Sequence, residues 1–281
     1  MEMEDELRKC IQNNLLEVHY QPIVDMMTGS VESLEALCRW FHPIRGPIKP
    51  CKFIPLAEEV GLIGELGRRV LITVLRQIHK WTNEFGYDAC PQVSVNLSSI
   101  QLMDDGLFNN ILKVLGEKPE YAKKLKFEIT ESLILSNPEL AKKRLGQLAE
   151  MGSKLCIDDF GTGYSSLNYL HNYPYHVLKI DRSFVTPINV DPKVESLVNN
   201  VINLSHDLGL EIIAEGVENL DQMSKLIDLG CHLGQGYLFA GAMDAKKATA
   251  LIANGSKYNV ALPYDVVCDM KKNIKLNYNL V

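Results

Sequence analysis

Eight strand-like runs alternate with helical patterns along this chain, and that alternation constrains its fold more than any other feature. The runs are LEVHYQPIV (16–24), VESLEALCRWF (31–41), QVSVNLS (92–98), LKFEITES (125–132), KLCIDDF (154–160), VLKIDRSFV (177–185), LEIIAEGV (210–217) and LGQGYLF (233–239). Between most of them the apolar residues move to helical spacing. The longest such stretch runs from about Gly64 to Phe85, with Leu66, Val70, Leu71, Val74, Leu75 and Ile78 in register. Others lie near 106–116, 138–150, 192–208, 219–229 and 244–253. This order predicts an α/β fold, a closed (β/α)8 TIM-like barrel rather than an open sheet. One joint breaks the rule. Only Asp25-Met26-Met27-Thr28-Gly29-Ser30 separates the first two runs, whereas a parallel crossover needs roughly a dozen or more residues. The first and second strands are therefore expected to form a hairpin, leaving one antiparallel strand in the barrel. No repeat, low-complexity tract or linker divides the chain, so a single domain is expected over residues 1–254. Residues 255–281 fit no element of the alternation and form a C-terminal extension of unknown role.

In such a barrel the reacting groups collect at the carboxyl ends of the strands. Nearly every run here has a polar residue there. Glu35 stands in the second run, Asn96 in the third, Glu128 in the fourth, and Asp158 with Asp159 in the fifth. Lys179, Glu215 and Gln235 follow in the sixth, seventh and eighth. One buried carboxylate has an ordinary explanation as half of an ion pair. Seven strands each contributing do not. Five carboxylates and one lysine at one mouth cannot all stay ionised without cations. Oxygen donors without His or Cys favour Mg2+ or Mn2+ over zinc, and the seven histidines show no HxH or HExxH spacing. A carboxylate-rich site of this kind suits phosphoryl chemistry, in which two cations share a bridging aspartate.

Composition excludes other classes. With a formal net charge of −6 and no basic run, the chain is not expected to bind a nucleic-acid polymer. Seven cysteines without a CxxC pair argue against both a disulfide framework and structural zinc, and point to a reducing cytoplasm. The start, MEMEDELRKC, has no apolar segment of the signal-peptide kind. No run approaches the roughly 18 apolar residues a membrane helix needs. Gly161-Thr162-Gly163 begins a GxGxxG, yet Ser166 replaces the third glycine and two aspartates precede the turn. A pyrophosphate would need positive potential there, so a dinucleotide cradle is disfavoured.

Taken together, these residues resemble the EAL-domain family of cyclic di-GMP phosphodiesterases. The naming motif is Glu35-Ala36-Leu37, preceded by YQPIV at 20–24. NLS (96–98), FEITES (127–132), DDFGTGYSSL (158–167), LKIDRSF (178–184), AEGVE (214–218) and QGYLF (235–239) follow in the family's order, over about residues 5–253. The resemblance implies a (β/α)8 barrel with one antiparallel strand and hydrolysis of cyclic di-GMP to linear pGpG. By motif position, Glu35, Asn96, Glu128 and Asp158 would hold a first metal, and Asp158 would bridge to a second held by Asp159 and Glu215. Lys179 would position the attacking water, Glu215 would act as base, and Gln235 would bond to site water. Mg2+ or Mn2+ would support turnover; Ca2+, which prefers longer bonds and looser geometry, would bind and inhibit.

Gln21, Leu37, Arg39 and Gly236 would contact substrate, and Glu131 would anchor the DDFGTGYSSL loop. The resemblance also implies a homodimer through the region after Asp159. Trp40, Phe41 and Tyr237 are expected to pack in the barrel rather than stack on a base. Where the family usually has a proline shortly after QGYxF, this chain has AGAM at 240–243, including Ala242. A degenerate member that only binds cyclic di-GMP is the alternative, but such members lose ligands or the lysine, and none is missing here.

Overall fold

The joint between the first two runs is a tight hairpin, built by Asp25. Its carboxylate accepts the backbone N–H groups of Met27 (2.8 Å) and Thr28 (2.9 Å), and Gly29 turns with φ 74°. Strands β1 (Leu16–Asp25) and β2 (Val31–His42) pair antiparallel from Leu16 opposite Trp40 to Val24 opposite Val31. The structure is a computed structural model and describes residues 2–130, 137–161 and 172–255.

The remaining barrel strands are β4 (Gln92–Asn96), β5 (Leu125–Thr130), β6 (Lys154–Phe160), β7 (Val177–Ile180), β8 (Glu211–Glu215) and β9 (Leu233–Gln235). These run parallel from β2 round to β9, and β1 closes the barrel antiparallel to both neighbours. A short β3 (Gly46–Ile48) pairs with the end of β2 outside the barrel. The expected architecture, with its one inverted strand, is what forms.

Because β1 runs against the rest, its first residues lie beside the carboxyl end of β2. The chain thus enters the barrel at the mouth. The helix before it, α1 (Glu2–Gln12), buries Leu7, Cys10 and Ile11. Two further helices follow β3: α2 (Pro50–Glu59), started by its proline, and the long α3 (Ile63–Phe85), which buries the apolar positions expected and also Trp81. Beyond β4 come α4 (Ser99–Met103), α5 (Asp105–Gly116) and α6 (Pro119–Ala122). Next along the described chain are α7 (Pro138–Glu150), α8 (Arg182–Val185), α9 (Pro192–Asp207), α10 (Leu220–Asp228) and α11 (Ala245–Ala253). Among the described residues no helix is long and apolar enough to cross a membrane.

Three expectations need correction. The sixth run is not strand to residue 185: β7 stops at Ile180, and Asp181 accepts the Ser183 N–H (2.9 Å) to cap α8. The eighth run leaves the sheet after Gln235. Helices α1 and α2 were not expected. Both are short enough that periodicity alone does not separate them from loop.

Below the mouth the barrel interior is apolar on one side, where Ile23, Cys156, Val177 and Ile213 cluster. The other side is polar. Buried Lys126 lies 3.3 Å from Ser33 Oγ and 3.9 Å from Glu211 Oε2, and Lys154 closes on Glu211 at 2.6 Å. Beneath the site thus lie an apolar cluster and the buried Lys126 with its polar partners.

Gly236 follows Gln235 where the chain leaves β9. A Cβ there would stand 2.1 Å from Val217 O and 2.4 Å from Val217 N, and backbone cannot retreat as a flexible side chain would. Gly236→Ala is therefore expected to destabilise the fold by about 2 kcal/mol or more, seen as a lower urea midpoint with an unchanged m-value. A wild-type midpoint would show that this packing is looser than its geometry.

Candidate active site

Two adjacent residues of a regular strand face opposite ways, so Asp158 and Asp159 could not serve one site from an ordinary β6. The strand is not ordinary there. Its pairing with β7 slips between Ile157 and Phe160, Asp159 takes φ 53°, and Gly161 follows at φ 95°. This left-handed turn, unusual for a residue other than glycine, brings the two carboxylates together. Oxygens of Asp158, Asp159 and Glu215 lie within 4.8 Å of one another. Gly161 is needed for its turn and because a Cβ would meet the Phe184 ring at 2.9 Å.

Register places the other groups. Asn96 is level with Glu128, Thr130 with Asp158, and Glu215 with Gln235. At the centre stands Lys179, with no exposed surface. Its ammonium is 3.0 Å from Glu128 Oε2, 3.3 Å from Asp158 Oδ1 and 3.6 Å from Glu35 Oε2, and it is also paired with Glu215. Glu35 is held further by the Asn96 amide on Oε1 (3.0 Å) and the Gln235 amide on Oε2 (2.6 Å). All eight strand-end residues expected at the mouth are there.

One ammonium does not balance four carboxylates. Burial penalises the charge on Glu35, but Lys179 and the two amides outweigh it and hold its carboxyl below the usual range. Burial, reinforced by the Glu35 charge, pushes Glu128 well above that range. Burial likewise raises Glu215 to about 7 against the opposing pull of Lys179. Asp159 is raised by burial and by Asp158 beside it. Lys179 pays a desolvation penalty, yet its carboxylate neighbours keep it firmly protonated. Left to itself the cluster must retain protons.

Its oxygens are also incompletely satisfied. Among the described residues, buried Glu128 Oε1 and Gln235 Oε1 have no hydrogen-bond partner, and Asp158 Oδ1 is met by the Lys179 ammonium at 3.3 Å. Unpaired oxygens in a carboxylate and amide donor set, free of sulfur and imidazole, fit hard divalent cations. The residues present are suited to hold them.

A cavity of about 620 Å3 opens from this cluster, and Leu37 and Arg39 line it beside Glu35, Asn96 and Glu128. Arg39 donates to Cys38 O (3.0 Å). Gln21 is level with Glu35 and donates to Ala240 O (3.0 Å), tying the 236–243 segment to β1. Gly236 has the packing reason already described, independent of any substrate contact. Glu131 and the rest of the DDFGTGYSSL loop from Thr162 lie outside the described residues.

The packing expected of three aromatics holds only for Trp40, 2% exposed; Phe41 and Tyr237 are 44% and 74% exposed. The sequence reading also missed the wall that α2 gives the cavity through Pro50, Cys51 and Ile54. The available signal was Pro50 followed by Phe53 and Ala57 at i, i+4 spacing, both of which are buried.

The EAL domain family model matches residues 4–242. Cyclic di-GMP phosphodiesterase PdeR of Escherichia coli is 41% identical over 243 residues, covering 86% of this chain and 36% of that protein. The bifunctional diguanylate cyclase/cyclic di-GMP phosphodiesterase MucR of Pseudomonas aeruginosa is 38% identical, covering 90% of this chain and 37% of that protein. This chain thus spans little more than a third of the length of these relatives. A solved structure of the PaMucR phosphodiesterase in complex with c-di-GMP superposes with a TM-score of 0.83 at 38% identity, covering 88% of this chain and all of that one. The chain belongs to the EAL domain family.

Proposed function

We propose that this domain is a phosphodiesterase that hydrolyses one phosphodiester bond of cyclic di-GMP, giving linear pGpG, in a reaction that needs Mg2+ or Mn2+. The observation that carries this reading is the set of strand-end groups converging on Lys179, with more carboxylate charge than its one ammonium balances. The likeness to PdeR and to the c-di-GMP complex of PaMucR supports the choice of substrate. Stable binding of cyclic di-GMP in Mg2+ without turnover would instead establish a receptor that does not cleave.

Glu35, Asn96, Glu128 and Asp158 would hold one cation, and Asp159 and Glu215 a second, with Asp158 shared. When bound, such cations supply Lewis acidity to the phosphoryl oxygens and lower the pKa of water. The chain's own residues do the rest. Lys179, always protonated here, donates to the attacking water and fixes its line of approach. Glu215, beside Lys179 and Asp158 at the mouth, would accept the proton the water loses. The water oxygen would form the new bond to phosphorus as the bridging ester bond breaks, and the departing sugar oxygen would be protonated from solvent. Gln235 orients site water, Arg39 offers a planar guanidinium suited to phosphate, and Gln21, Leu37 and Gly236 border the substrate. Glu131 would anchor the loop after Asp159.

A second copy of the chain is proposed to pair through the region after Asp159. An apolar cavity of about 360 Å3 bordered by Phe160, Ile180, Phe184, Leu197 and Val201 supports an apolar contact next to that region. Sedimentation equilibrium yielding only monomer at tens of micromolar would remove this part of the reading.

Chelation is expected to abolish hydrolysis and Mg2+ or Mn2+ to restore it, with Ca2+ binding but inhibiting. Asp158→Asn should be nearly inactive, because the shared ligand loses its charge. Full turnover to pGpG in excess chelator would refute the metal requirement.

Lys179→Met keeps most of the apolar stem and removes the donor. It is expected to lower kcat by about 100-fold or more. Affinity for cyclic di-GMP in Ca2+ should change far less, because the interaction belongs mainly to the transition state. Lost binding with intact kcat would make Lys179 a substrate clamp.

A further inference from the structure

Inversion of β1 places α1 beside the mouth, and the helix is fastened there at both ends. At its C-terminal end, Arg69 of α3 donates to Gln12 O (3.4 Å) and to the Asn14 side chain. At its N-terminal end, Arg45 Nη2 lies 3.2 Å from Glu2 Oε2 and 3.4 Å from Glu6 Oε2. His42 Nε2 lies 3.4 Å from Glu6 Oε1. The histidine's tautomer follows from its other side, where Nδ1 accepts the N–H groups of Ile44 (3.2 Å) and Arg45 (3.1 Å). Its proton is therefore on Nε2, facing Glu6. Among the described residues, buried Glu6 Oε2 has no hydrogen-bond partner, and the Arg45 charge is what offsets it.

These contacts join α1 to a particular piece of the cavity wall. His42 ends β2, the strand that bears Leu37 and Arg39. Arg45 precedes β3, which leads directly into α2, and Pro50, Cys51 and Ile54 of α2 line the same cavity. Glu35, deeper in β2, has its own restraints from Asn96 and Gln235. Movement of α1 would thus reach the substrate side of the site before the carboxylate side.

We propose that Glu6, with His42 and Arg45, is a positioning group: the latch sets the separation between the Arg39-bearing end of β2 and helix α2, and so the affinity for the phosphodiester substrate. It rests on the proposed phosphodiesterase activity only for the choice of substrate. The Lys225–Glu195 pair (3.0 Å) joins α9 to α10 without lining the cavity and supplies the control.

The test uses the full chain with Glu6→Ala, Arg45→Ala, Arg45→Lys and the control Glu195→Ala. KM and kcat are measured for cyclic di-GMP in Mn2+. Separately, the alkylation rate of exposed Cys51 by iodoacetamide is followed by peptide mass, a readout that needs no turnover. Glu6→Ala and Arg45→Ala are expected to raise KM about three- to fivefold, as an ion-pair network of this exposure allows, with kcat within about twofold. Cys51 should react faster in both, Arg45→Lys should restore most of each effect, and Glu195→Ala should change neither. Should Glu6→Ala fail to fold, Glu6→Gln keeps an acceptor for His42, removes the charge facing Arg45, and takes its place. Unchanged KM and Cys51 reactivity would overturn the proposal, as would a fall in kcat alone. If the wild type turns over no cyclic di-GMP, the phosphodiesterase reading fails while Cys51 reactivity still decides the latch.

Discussion

A shortage of positive charge governs this molecule. Glu35, Glu128, Asp158 and Glu215 all face the one ammonium of Lys179 at the barrel mouth. Burying carboxylates costs several kcal/mol each unless they are paired and hydrogen-bonded, and the Lys179 ammonium brings one charge and three donors to four of them. Protons must remain on Glu128 and Glu215, or cations must enter. The barrel is built to sustain that tension. Hydrogen-bonded strands fix each carboxylate, an apolar cluster and the buried Lys126 with its polar partners lie below, and the amides of Asn96 and Gln235 hold Glu35 in place.

The second determinant is the inverted first strand. In an all-parallel barrel the chain would enter the first strand at the end away from the mouth. Here the hairpin at Asp25 reverses that. The consequence is that β1 contributes Gln21 to the mouth from its middle, and that α1 rests on the rim. From that place Glu6 meets His42 and Arg45, which follow the β2 residues lining the cavity, while Glu35 keeps its own restraints.

Much of this was legible in the sequence, because the signals involved are local. Alternating periods, a joint too short for a parallel crossover and one polar residue near the end of nearly every strand settled the α/β barrel, its hairpin and the residues of the mouth. Periodicity reports which face of its own element a residue occupies, and a barrel points all those faces inward. That is why polar residues from seven strands could be read as one site.

What local signals could not determine is what depends on register and closure. Asp158 and Asp159 should face apart in a strand; only the slip against β7 and the left-handed turn at Asp159 bring them together. The position of Lys179 within reach of four carboxylates follows from strand register around the closed barrel. Trp40 and Phe41 are neighbours of similar chemistry, yet one is buried and the other open, since alternate residues of β2 face the helices and the mouth. The short α1 and α2 gain their stability from packing rather than propensity, so their existence and the wall they build were decided by the tertiary structure.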